Sequence, residues 1–219
     1  MLTRAALACV LGGLAAPVAA HAATQELGQF DATVKGSCPS KPCYALSRTT
    51  GYQAKVGDTL APLAAPADGR IVAFTVALGK PGKIQTKYFQ TKLGGLPSLQ
   101  LTILNAPKKL RSRAVAQSEA INPLVYFGST VQIALLKSLP IKKGQIVGLT
   151  STTWAPVLAI GQPNTTSWRA SRGKGTCDDV SKPTAQTQPN QLARYYCLYK
   201  GVRLAYSATF IPDPAPATR

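Results

Sequence analysis

Four stretches of the chain alternate apolar and polar residues with a period of two. The clearest spans residues 70–78, where one side of an extended chain carries Val72, Phe74, Val76 and Leu78. The same alternation recurs in residues 99–103, 131–135 and 202–210. Successive side chains of a β-strand point to opposite faces, so this period is typical of strands with one buried face. The pattern predicts short β-strands along most of the chain.

Turn-forming residues separate these stretches, and no comparable helical pattern competes with them. The turns include Asp68-Gly69, Gly94-Gly95 and Lys143-Gly144. The best helical candidate is 113–121, which Pro123 would end early. Many short strands with regular turn signals predict an all-β fold. We expect two antiparallel sheets packed face to face, as in a β-sandwich or jelly roll.

The ends of the chain differ from this central region. Residues 1–22 combine Arg4, a short apolar run and the small-residue pattern Ala20-His21-Ala22. This is typical of a signal peptide cleaved after Ala22, and the apolar run is shorter than the about 20 residues of a transmembrane helix. We expect a secreted protein with one β-sandwich domain over 23–211, a long polar loop insertion at 161–192 and a disordered tail at 212–219.

Cleavage would leave four cysteines, which in an exported chain predict disulfides. Three pairings are possible. We favour the local one, Cys38–Cys43 with Cys177–Cys197, because the first closes the tight turn CPSKPC and the second staples a polar loop. The cross-pairings, which would tie the N-terminal region to the C-terminal strands, stay open at this point.

Several phrases of the chain resemble a group of uncharacterised secreted actinobacterial proteins. They are APADGRIVAFTVALG, AQSEAINP, LPIKKGQIVGLTSTTWAPVLAIG, SWRASR and RLAYSATFIPDP. The stretch PADGRI and the later KKGQ are also similar, more loosely, to galactose-binding-like jelly rolls. The resemblance implies a β-sandwich. The group has no agreed activity, so it implies no site residues.

The residues offer little for catalysis. Cleavage would remove His21, the only histidine, and with it any Ser-His-Asp or Cys-His site. Ser171 to Lys174 matches S-x-x-K but lacks the partner motifs of that enzyme class. Glu119 with Asp58 is the one carboxylate pair considered for a hydrolase. We therefore expect no enzyme activity, no cofactor and no metal site.

Charge is the most unusual property of the sequence. The chain has 25 Lys and Arg against 8 Asp and Glu, a formal net charge of +17. Many cations lie at predicted turns, where they serve ordinary solvation, but such a field also attracts polyanions. The candidate ligand-binding cations are Lys108, Lys109, Lys142, Lys143, Arg169, Arg172 and Lys174, with Arg111 and Arg113 close to the first pair. The expected partner is an anionic wall polymer or acidic glycan, and no motif specific for nucleic acid is present.

Aromatic residues support an alternative. Exposed tryptophans often hold neutral sugars, and Trp168 lies in the polar insertion beside Arg169. Trp154 fits a core position better, because large aromatic residues dominate sandwich cores. The first hypothesis is thus a secreted, non-catalytic β-sandwich that binds an anionic polymer. The second is a neutral-carbohydrate module that uses Trp168, and an unrecognised hydrolase is the third.

Overall fold

The computed structural model describes residues 23–214, and the predicted signal peptide and the last residues of the predicted tail lie outside this range. The strands in chain order are β1 (Gln25–Leu27), β2 (Leu46–Val56), β3 (Thr59–Leu60), β4 (Gly69–Ala77), β5 (Gln100–Leu104), β6 (Arg111–Gln117), β7 (Thr130–Ile141), β8 (Ile146–Ala155), β9 (Leu158–Ile160), β10 (Ser167–Ala170), β11 (Leu192–Arg194), β12 (Cys197–Lys200), β13 (Val202–Leu204) and β14 (Tyr206–Pro212). The helices are α1 (Lys83–Lys92) and the short 3-10 helix η1 (Leu124–Tyr126).

These strands form the predicted antiparallel β-sandwich. A small sheet has the order β1-β14-β4-β7, and a large sheet has the order β11-β6-β5-β8-β2-β10-β12, with β3 paired to β2. A further pair joins β9 to β13. Strands that neighbour each other in the sheets are often far apart in the chain, as with β4 and β14. The fold therefore depends on long-range pairing.

The core lies between the two main sheets and is built from the alternating residues. Phe74 and Phe210 of the small sheet and Leu101 and Leu149 of the large sheet belong to one buried cluster. Tyr206 crosses this layer, and its hydroxyl donates a 2.7 Å hydrogen bond to the carbonyl of Val147. Burial raises the pKa of Tyr206 well above its ordinary value. A polar group thus links the sheets without carrying charge into the core.

The predicted core-facing row of β4 is wrong at Val72, because a β-bulge interrupts the alternation there. Ile71 and Phe74 are buried, whereas Val72 is only half-buried. The register of β4 shifts between Ile71 and Ala73 against β7, and Val72 is likewise skipped in the pairing with β14. A bulge inserts one extra residue and reverses the alternation beyond it. Val72 therefore does not share the core-facing row with Phe74.

The best helical candidate of the sequence, residues 113–121, is not a helix, and the helix lies elsewhere. Residues 111–117 form strand β6, and the helix lies at Lys83–Lys92. Only Phe89 of α1 is buried, where it packs on Trp154 with ring centroids 5.0 Å apart. One buried residue does not make an apolar stripe, so the periodicity did not reveal this helix. Trp154 is fully buried, as predicted.

The polar insertion is more structured than a loop. Strand β10 lies inside it and pairs with both β2 and β12. The remainder, residues 171–191, has no helix or strand and is called the covering segment below. It lies on the outer face of the large sheet, where Ser171 and Gln186 bond to Thr50. The predicted loop therefore begins after Ala170.

The covering segment buries a ladder of hydroxyl groups. Thr50 and Thr102 each lie within hydrogen-bond distance of the Thr150 hydroxyl, at 2.8 and 2.7 Å. The backbone N–H of Gln186 donates a 2.9 Å hydrogen bond to the Thr50 hydroxyl. All three threonines are fully buried. Buried hydroxyls without partners are costly, so the segment and the ladder stabilise each other.

Both favoured disulfides are confirmed. Cys38–Cys43 closes the turn that precedes β2, and Cys177–Cys197 joins the covering segment to β12. Disulfides of this kind are consistent with an extracellular protein. Across residues 23–214, no helix is both long enough and apolar enough to span a membrane.

Replacing Thr150 by valine should destabilise the protein by about 1–3 kcal/mol, because Thr50 and Thr102 would both lose a buried partner. Thr150→Ser keeps the hydroxyl and serves as the control. Urea unfolding followed by circular dichroism measures both variants. A Thr150→Val variant as stable as the wild type would show that the buried hydroxyl contacts do not stabilise the fold.

Replacing Cys177 and Cys197 together by alanine should loosen the covering segment while the sheets stay folded. The chain-entropy model gives a loss of up to about 3 kcal/mol for a loop of this length. Amide hydrogen exchange should become faster across residues 171–191 and stay slow in β4 and β14. The matched control is the double variant of Cys38 and Cys43. Loss of protection throughout both sheets would contradict this prediction.

Candidate functional site

Two turns meet at one end of the large sheet because β5 and β8 are antiparallel neighbours. Leu104, the last residue of β5, pairs with Ile146, the first residue of β8. The turn after β5 and the turn before β8 therefore lie side by side. Gln145 reinforces this arrangement by donating a 2.9 Å side-chain hydrogen bond to Asn105.

The turns and the neighbouring strands enclose an open cavity of about 610 Å³, called the basic groove. Five cations line it: Lys108, Arg111, Arg113, Lys142 and Lys143. All five side chains belong to exposed residues. Leu192 of β11, which pairs with Arg113, lies along the outer edge of the groove. Cations from separate parts of the chain thus converge on one surface.

One carboxylate accompanies these cations. The Lys142 ammonium lies 3.4 Å from Asp68, whose other carboxylate oxygen accepts the Lys143 backbone amide at 2.8 Å. The Lys143 amide and then the Lys142 ammonium hold the pKa of Asp68 below its ordinary value. Over the described ranges this is the single ion pair closer than 4.0 Å. The remaining groove cations are therefore unpaired at this distance.

The predicted site residues divide into two groups. Lys108, Lys142 and Lys143 line the basic groove, and the exposed Lys109 adjoins Lys108 in the chain without lining it. Arg169, Arg172 and Lys174 lie elsewhere, on β10 and the covering segment. Of the seven predicted cations, the basic groove therefore brings together only Lys108, Lys142 and Lys143.

Two of the arginines outside the groove serve the fold. The Arg169 guanidinium donates to the carbonyls of Tyr195 and Tyr196, both at 3.0 Å. Arg172 is only 3% exposed and donates to the Ser47 carbonyl at 2.6 Å. Both side chains hold backbone oxygens of the fold, and Arg172 is also buried away from any polymer.

Trp168 is not the exposed aromatic residue that the carbohydrate hypothesis requires. It is 3% exposed, and its ring stacks on Tyr199 with centroids 4.6 Å apart. Its sequence neighbours suggested a polar loop, but β10 places it between β2 and β12. A ring buried in this way offers no face to a surface glycan.

The two carboxylates considered for hydrolysis lie in ordinary structural positions. Glu119 accepts the backbone amide of Leu136 at 2.8 Å, and Asp58 lies in the turn between β2 and β3. Neither residue lines the basic groove. Among residues 23–214, no three His, Cys, Asp or Glu side chains gather in a form that could hold a metal ion. Glu119 and Asp58 are therefore not part of the candidate site.

Sequence reasoning missed the polar residues that hold the groove together. Asn105 and Gln145 join its two turns, and Leu192 forms its edge. Their signal was indirect, because it required knowing that β5 and β8 are neighbours. The sequence did show two lysine pairs, each at a predicted turn.

Comparisons with known proteins provide no relative for this chain. No protein-family model, no curated protein and no solved structure matches it. The resemblance to secreted actinobacterial proteins therefore stays a prediction, and the described geometry is the basis for a function.

Proposed function

We propose that this protein is a secreted, non-catalytic β-sandwich that binds an anionic extracellular or cell-surface polymer in the basic groove. The observation that carries the proposal is the convergence of five exposed cations, of which only Lys142 has a carboxylate within 4.0 Å among the described residues. The groove is open, so a long chain can pass through it. A wall polymer or an acidic glycan has the repeated negative charge that such a surface attracts.

The overall charge supports the same partner class. With 25 cations against 8 carboxylates, the protein attracts polyanions from a distance, and the groove supplies the place of contact. The attraction is electrostatic between exposed groups, so salt should weaken it strongly. The two disulfides fit the extracellular setting in which these polymers occur.

A charge-matched pair of triple variants tests the groove. Changing Lys108, Lys142 and Lys143 to glutamine should weaken binding to heparin or purified anionic wall polymer about tenfold at low salt. Changing the exposed Lys83, Lys87 and Lys92 of α1 to glutamine removes the same charge away from the groove. This control should bind nearly as well as the wild type. Elution from a polymer column in a salt gradient measures both.

Two results would contradict the proposal. Equal weakening in both triple variants would mean that net charge alone, and not the groove, holds the polymer. Wild-type retention that is absent, or that persists unchanged to about 1 M salt, would exclude an electrostatic contact with exposed lysines.

Replacing Asp68 by asparagine should have the opposite effect and strengthen binding by up to about fivefold. The change removes the carboxylate that pairs with Lys142 beside the groove, while the asparagine oxygen can still accept the Lys143 amide. Because the pKa of Asp68 is lowered, the wild-type carboxylate is ionised at neutral pH and opposes an anionic ligand. The difference should therefore disappear at a pH low enough to protonate Asp68. Weaker binding by Asp68→Asn at neutral pH would argue against the groove as the contact surface.

A further inference from the structure

A second cavity, of about 400 Å³, lies where the covering segment meets β2, β10 and β12. Its walls are largely apolar and include Ala45, Leu158, Val202 and the rings of Trp168 and Tyr199. Its volume falls within the range of about 300–1,000 Å³ typical of small-molecule sites. It shares no lining residue with the basic groove. We call it the inner pocket.

The aromatic wall of the inner pocket is held in place on several sides. The Trp168 and Tyr199 rings stack at an angle of 19°. The backbone at Gly51 lies directly against the indole, since a Cβ there would come within 2.9 Å of it. The Tyr199 hydroxyl donates a 2.6 Å hydrogen bond to the carbonyl of Cys177, beside the disulfide. The wall is therefore formed before any ligand arrives.

Arg172 places a positive charge at this wall without a matching negative charge. Its guanidinium donates to the Ser47 carbonyl at 2.6 Å and to the Tyr199 hydroxyl at 3.3 Å, and both partners are neutral. Its Nε has no partner, and no carboxylate of residues 23–214 lies within 4.0 Å. Burying a charge in this way is costly unless an anion compensates it.

Trp168 adds a second unused donor. The indole Nε1 is buried and has no hydrogen-bond partner among the described residues. Buried polar groups in folded proteins are nearly always paired, so an unpaired indole N–H and an unpaired guanidinium N–H on two residues of one pocket are unusual. Both belong to side chains that line the inner pocket. The Arg172 guanidinium is the charged group of this wall that an acceptor from a ligand would compensate.

We propose that the inner pocket binds a small organic acid, with its carboxylate toward Arg172 and its apolar body against the Trp168–Tyr199 wall. The guanidinium provides a charge-assisted hydrogen bond to the carboxylate. The aliphatic and aromatic walls provide the surface that buries the rest of the molecule. Asp178 lines the pocket as an exposed residue, so it lies at the solvent side and not beside the buried guanidinium. This site is independent of the polymer groove.

A series of three probes with the same apolar body and different charge tests the site. Calorimetric titration of the oxidised protein would compare phenylpropionate, phenylpropionamide and phenylpropylamine. The acid should bind at least about tenfold more tightly than the amide, because a hydrogen bond to a charged group is lost in the amide. The amine should not bind. Decanoate against decanamide repeats the comparison for an alkyl body, and a tighter acid in either pair supports the proposal.

Three variants connect binding to the named residues. Arg172→Met should abolish the preference for the acid, and Arg172→Lys should restore part of it. Val202→Phe, which fills the pocket without touching the guanidinium, should block every probe and keeps the test valid if Arg172→Met does not fold. The groove variant with Lys108, Lys142 and Lys143 changed to glutamine should bind phenylpropionate like the wild type.

Other outcomes would overturn the proposal. Equal affinities for acid, amide and amine would make the pocket a simple apolar cavity. Absence of binding by both acids, or unchanged binding in Val202→Phe, would show that the pocket holds no such ligand. Loss of phenylpropionate binding in the groove variant would place the acid in the basic groove instead.

Discussion

The hydroxyl groups on the outer face of the large sheet must be covered and paired, and much of the molecule on that side depends on this constraint. Thr50, Thr102 and Thr150 satisfy one another in part, and the covering segment completes the network. Ser171 joins this network through Thr49 and through the carbonyl of Thr184. Arg172 is the next residue, so the interaction that covers the sheet also carries a guanidinium inward. The docking of the covering segment on the sheet thus also places Arg172 at the inner pocket.

The positive charge of the chain serves two different purposes. Exposed lysines at turns and exposed arginines of β6 create the field and the basic groove. Arg169, Arg172 and Arg203 instead donate to backbone carbonyls in partly or fully buried positions. A formal charge of +17 therefore overstates how much of the surface is available to a polyanion. Whether a cation is available to a ligand depends on its burial, and a count of charges gives no information on burial.

The strands were predictable because alternation is a local property, and the pairing of nearby cysteines was predictable for the same reason. The burial of Thr102 was not, since its strand pattern marks it as outward-facing and only a distant segment covers it. Val72 departs from the expected face because neighbouring strands set the bulge. The sequence indicated that lysines of the groove lie at turns. It did not indicate that these turns are neighbours, which follows from the pairing of Leu104 with Ile146. The burial of Trp168 could not be predicted either, because β10 lies inside a polar stretch of the sequence.

The contact between Gly51 and Trp168 has a consequence for how this fold can diverge. Any side chain at position 51 would collide with the indole, and Leu204 lies only slightly farther away. A larger residue at 51 is therefore compatible only with a smaller residue at 168. Among homologous chains, the two positions should covary, with glycine retained wherever tryptophan is retained. Lineages that lose this pair would keep the sandwich and lose the aromatic wall.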